Sequence, residues 1–172
     1  MTAPMRPTML GTCARAATAE ELRYRIDRPI RPRRGARVVA LDEVAARVVG
    51  DASSATWHAA RFYTSAACTP VNGAGGEPEV TLAAADGTRV PLRTELADAD
   101  VVVMVAAVDG SGATASAIGR AAADRGIMAA GVILGDAREV RDVVSALRPH
   151  ARVLLVTSDE QDLSEVLTAL RA

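Results

Sequence analysis

Val101-Val102-Val103-Met104-Val105-Ala106-Ala107-Val108 runs without a polar residue straight into Asp109-Gly110-Ser111-Gly112-Ala113-Thr114-Ala115. An apolar run rich in β-branched residues, with no polar alternation, reads as a strand buried on both faces, which is the situation of a parallel sheet. The small-residue loop leads into a helical segment that reaches Arg125 and is stopped by Gly126. A second apolar run then covers Ile127 to Leu134. Strand, glycine loop, helix and strand make a βαβ unit with an expected right-handed crossover. Its loop falls where a helix N-terminus meets the carboxyl edge of a sheet, the place where α/β proteins bind anionic ligands.

The pattern continues downstream. Asp136 is placed to cap a helix through Leu147, Pro149 ends it, and Arg152 to Val156 reads as another buried strand. Thr157-Ser158-Asp159 then opens a helix to the end of the chain, with Leu163, Val166, Leu167 and Leu170 on one face. Upstream, Arg37 to Leu41 is a short strand and Asp42 to Val49 a helix stopped by Gly50. Ala59 to Ser65 is a candidate strand beside Trp57, Phe62 and Tyr63. Asp86-Gly87 between two apolar runs predicts a hairpin over Val80 to Leu92, with a helix broken near Pro91 as the alternative. The expected fold is therefore α/β, a three-layer Rossmann-like domain with a mostly parallel sheet.

Composition sets the boundaries. The 172 residues suit a single domain over 36–172, with an aliphatic core dominated by Ala, Val and Leu. Residues 1–35 hold Pro4, Pro7, Pro29 and Pro32 among arginines and read as a basic, flexible arm. Nine Arg against Glu20, Glu21 and Asp27 in the first 37 residues would suit nucleic acid or acidic lipid. The reading adopted is a solvated tail, so no nucleic-acid partner is expected. Cys13 and Cys68 stand at no metal-like spacing, and a reduced, cytoplasmic setting is expected. No apolar run approaches the ~18 residues of a membrane span. His58 has no second ligand nearby and reads as packing.

Several readings of the glycine loop stay open. Gly110-x-Gly112-x-x-Ala115, with Asp136 after the next strand, satisfies a dinucleotide-binding fingerprint. Ser111-Gly112-x-Thr114 looks like the phosphate loop of sugar isomerase (SIS) domains, with Asp109 where that loop has a serine. An isomerase would also need a general base, for which His58, His150 and Glu79 are the candidates. The glycines can equally be a tight turn with no ligand, beside ordinary solvated acids.

A longer resemblance uses more of the chain. Gly73-Ala74-Gly75-x-x-Pro78-Glu79-Val80 resembles a phosphate-side loop of the FtsZ branch of the tubulin superfamily, and the spacing from there to Asp100 is similar without a gap. The glycine loop then falls where that family has its G-G-G-T-G-[ST]-G signature, with Gly110 and Thr114 as strict matches. Ser158-Asp159 lies where the family reads guanine with an Asn-Asp pair.

This resemblance implies the nucleotide-binding half of an FtsZ-like fold, truncated and degenerate, with ligand contacts from Gly73, Gly75, Gly110, Ser111, Gly112, Thr114 and Asp159. It implies GTP or another phosphate ligand, with Mg²⁺ only alongside a nucleotide, and no catalytic residues. The family's catalytic loop and second domain have no counterpart in this sequence. It also implies a helix where Asp86-Gly87 predicts a hairpin. The departures carry charge: Asp42 and Glu43 replace the family's first glycine cluster, and with Asp109 they are expected to face the phosphates and weaken binding. An FtsZ-like filament or self-association is the implied partner, through a C-terminal apolar stripe expected to be short of cover.

Overall fold

The computed structural model describes residues 34–69, 78–136 and 138–170. Residues 1–33 of the basic arm and the loop carrying Gly73 and Gly75 lie outside them. Seven strands form one sheet: β1 (Ala36–Ala40), β2 (Arg61–Thr69), β3 (Glu79–Ala84), β4 (Arg89–Pro91), β5 (Val101–Ala106), β6 (Met128–Leu134) and β7 (Ala151–Thr157). Their spatial order is β4-β3-β2-β1-β5-β6-β7. β2, β1, β5, β6 and β7 are parallel, while β3 is antiparallel to both its neighbours. Helices α1 (Glu43–Ser53), α2 (Leu92–Leu96), α3 (Gly112–Ala123), α4 (Arg141–Leu147) and α5 (Gln161–Ala169) complete the described elements.

β5 is the central one of the five parallel strands, and all six of its residues are buried. Alternate residues serve opposite faces. Val102, Met104 and Ala106 join α2, α3 and α4 in one core cluster, and Val101, Val103 and Val105 join α1 and α5 in the other. The polar-free run is thus explained by two apolar layers. The few aromatics leave the closeness of these layers to alanine: Ala115, Ala117 and Ala122 bring α3 against the sheet.

The hairpin is present. Gly87 takes φ +82 at its turn, β3 and β4 pair antiparallel, and no helix occupies that position. The helix implied by the FtsZ resemblance is therefore absent there. Three boundaries also move. α1 continues through Gly50 to Ser53, because Val48 and Val49 anchor it and the Trp57 indole N–H donates to the Ala52 carbonyl near its end at 2.8 Å. α4 begins at Arg141; Asp136 instead accepts from the Arg138 N–H in a local turn. β2 extends to Thr69, four residues beyond the expected strand end at Ser65.

β7 is a larger correction. It was expected to be buried on both faces, yet it is an edge strand in which Val153 is 52% and Val156 42% exposed. The C-terminal stripe errs the other way. Leu163 and Leu167 are fully buried against β5 and β6 residues, so the protein's own sheet covers the face expected to be bare.

Gly35 holds the entry to the sheet. It takes φ +100, its N–H and that of Arg34 donate to the Asp100 carboxylate, and its carbonyl accepts the Asp100 N–H. A Cβ there would lie 2.0 Å from the Ala59 carbonyl oxygen. Gly35→Ala is expected to cost about 3 kcal/mol, from the left-handed backbone and the overlap together. A shift in the urea midpoint with unchanged slope is the check.

Candidate functional site

The carboxyl ends of β1, β5, β6 and β7 share one edge of the sheet, and the loops after them carry Asp42, Asp109 to Ser111, Asp136 and Asp159. Gly110, Ser111, Gly112 and Thr114 are brought together as one turn into α3. Gly110 supplies the left-handed residue, at φ +106. Gly112 has a different task. A Cβ there would lie 3.2 Å from the Asp142 carbonyl oxygen, so its small size lets α3 approach α4. Ser111 is the N-cap residue of α3 but its side chain makes no capping hydrogen bond, and its Oγ is buried without a partner. The first N–H groups of α3 have no intrahelical acceptor, as at any helix start.

The acids behave differently from the expectation of carboxylates pointed at a ligand. Asp42 Oδ1 accepts from the Ala45 N–H at 2.8 Å and caps α1. Its Oδ2 reaches across to the loop after β5, accepting from Ala107 N–H at 2.7 Å and Val108 N–H at 3.1 Å. Asp109 turns onto the start of α4, accepting from Asp142 N–H at 3.3 Å and Val143 N–H at 3.2 Å. Each acid therefore satisfies backbone donors that would otherwise be open to an anion. Asp42 in particular occupies amides between β1 and β5, the crevice where open α/β sheets take their ligands.

Asp159 lies on the same edge but two strands from the glycine loop, on the order of 10 Å across the sheet. It is exposed, and its carboxylate accepts from the Gln161 N–H at 2.9 Å. Gly73 and Gly75 lie outside the described residues. Of the candidate bases, His58 precedes β2 and His150 precedes β7, so both stand at the edge opposite the glycine loop. His150 is packed on Gly119, where a Cβ would come within 2.6 Å of it. Glu79 lines a hollow with Pro78, Pro91, Leu92, Arg93 and Arg125, none of them in the glycine loop.

One polar cluster was not anticipated. Arg37 and Glu95 are the buried charged residues among those described. Glu95 Oε2 accepts from Arg37 Nε at 3.2 Å, Arg61 Nη1 at 3.3 Å and the Tyr63 hydroxyl. The Arg37 guanidinium also donates to the Asp98 carbonyl. Burial works to raise the Glu95 carboxyl, but the hydrogen bonds from Tyr63 and Arg61 and the two guanidinium charges outweigh it and hold the group below the usual carboxylate range. Burial, followed by the hydrogen bond to Glu95 and its charge, pushes Tyr63 up to about 12. The cluster ties β1, β2 and α2 together near the amino ends of the parallel strands, away from the glycine loop. An arginine inside the apolar run Ala36-Arg37-Val38-Val39-Ala40 was its only signal in the sequence.

The sequence matches no protein-family model and no curated protein. The strand order and pairings by themselves make the fold a Rossmann-like α/β domain with a mixed, mostly parallel sheet. No described helix is long and apolar enough to cross a membrane.

Proposed function

We propose that the domain is a degenerate FtsZ-like nucleotide-binding fold that acts by binding and not by turnover. The observation that carries this reading is the Asp42 carboxylate on the Ala107 and Val108 amides. It supplies from within the chain the negative charge that a phosphate would bring to this crevice. A polyphosphate entering it must displace Asp42 or lie against it, at a cost of about 4 kcal/mol for like charges about 4 Å apart at an effective dielectric of 20. The order of the parallel strands and the glycine loop beside the central one support the FtsZ-like comparison, while the hairpin at β3 and β4 is a further departure from it. Association with an FtsZ-like filament would have to use a surface other than the Leu163 and Leu167 stripe, which the sheet covers.

A phosphomonoester such as a sugar phosphate is the second reading, and the buried, unpartnered Ser111 Oγ at the start of α3 favours it. This reading concerns binding only, because His58 and His150 stand across the sheet. Calorimetric titration with GTP and Mg²⁺, inorganic phosphate and glucose 6-phosphate tests both. GTP is expected to bind no tighter than inorganic phosphate. Micromolar GTP binding with a marked preference over phosphate overturns the degenerate reading, and selective glucose 6-phosphate binding establishes the second.

A further inference from the structure

The two edges of the sheet are built differently. β4 is three residues long and carries Arg89 and Pro91, the features that keep an edge from pairing with another chain. β7 spans seven residues, about 23 Å at about 3.3 Å each. Its one guard is Arg152, at the register irregularity opposite Ala129 and Ala130. From Val153 to Thr157 it has no charge, proline or irregularity, and Val153 and Val156 are exposed. Among the described residues no strand pairs with its outer side.

We propose that β7 pairs antiparallel with β7 of a second copy of this chain, joining the two sheets into one. Charge selects this occupant and this direction. Exposed Arg148 and Arg152, with His150 between them, lie at the start of the strand, and exposed Asp159 and Glu160 lie just past its end. Antiparallel self-pairing sets the basic start of each copy beside the acidic end of the other, twice over. A parallel arrangement would set like against like.

The backbone agrees. The Thr157 carbonyl accepts the Gly135 N–H, so Thr157 turns its polar groups toward β6, and alternation turns those of Val156 and Leu154 outward. Pairing centred on Leu154 then makes Leu154 face its own copy as a hydrogen-bonded pair, with Val156 opposite the partner's Arg152. Val153 meets the partner's Leu155 on the face occupied by α5. The two-fold axis stands perpendicular to the sheet, and the glycine-loop edges of the two copies point in opposite directions.

Sedimentation equilibrium of the full chain, from micromolar to submillimolar concentration, tests this with charge exchange. Wild-type protein is expected to reach twice the chain mass. The Arg148→Glu/Arg152→Glu variant has acids at both ends of β7, and the Asp159→Arg/Glu160→Arg variant has bases at both. Each alone is expected to be monomeric over that range. Their equimolar mixture is expected to restore the dimer, which a misfolded variant could not do. A monomeric wild type, dimers that persist in both variants, or a mixture that stays monomeric overturns the proposal.

Discussion

Glu95→Ala is expected to destabilise the domain by about 3–5 kcal/mol, because it leaves the Arg37 guanidinium buried without its carboxylate. Arg37 is 1% exposed and sits in a strand of the sheet, so it has no path to water. The cost is expected to fall sharply in the double variant Arg37→Met/Glu95→Met, since a buried ion pair replaced as a unit by apolar groups is often neutral. Urea midpoints of the single and double variants check this. The pH dependence follows from the same atoms. Glu95 is held below the ordinary carboxylate value, so its contribution is complete above the unfolded pKa and is lost as pH falls through the lower folded one. Tyr63 behaves in the opposite sense. Its hydroxyl is pushed from 10.0 in the free side chain up to about 12, so its contribution is complete below 10 and is lost as pH rises toward 12. Glu95→Gln is expected to flatten the acid limb of the stability profile, and Tyr63→Phe the alkaline limb.

Leu167→Asp is expected to leave the chain unfolded. Leu167 is fully buried in the layer formed by α1, α5 and the central strands. Deleting a buried Leu side chain alone costs about 2–5 kcal/mol, and a carboxylate with no partner in its place adds to that. The sum is comparable to the whole stability of a domain this size, about 5–15 kcal/mol. Loss of the helical circular dichroism signal and of a cooperative urea transition is the expected readout. Glu165→Arg on the exposed side of the same helix is expected to change stability by no more than about 0.5 kcal/mol. A partner-binding defect in Leu167→Asp would therefore report unfolding and not a lost contact surface.

Local patterns decided a good part of this protein. The run Val101 to Val108 contains no polar residue because both faces of its strand are covered, and that requirement is legible wherever a strand lies in the middle of a parallel sheet. Asp86-Gly87 specified the hairpin for an equally local reason: Gly87 adopts a positive φ that a turn needs. Here the local turn chemistry described the chain better than the helix implied by the resemblance.

Other properties belong to the tertiary structure, because they depend on what stands next to an element and not on the element itself. Arg152 to Val156 reads like β5, but strand order puts β7 at the edge, where apolar side chains remain in solvent. The stripe on α5 reads as a surface wanting cover, and only the assembled sheet supplies that cover. Asp42 and Asp109 were legible as charges near a glycine loop. Their rotamers were not, and those turn them from charges repelling a ligand into acceptors for backbone amides. Arg37 and Glu95 are 58 positions apart, a separation that no periodicity can bridge, and they meet only when α2 closes over β1 and β2.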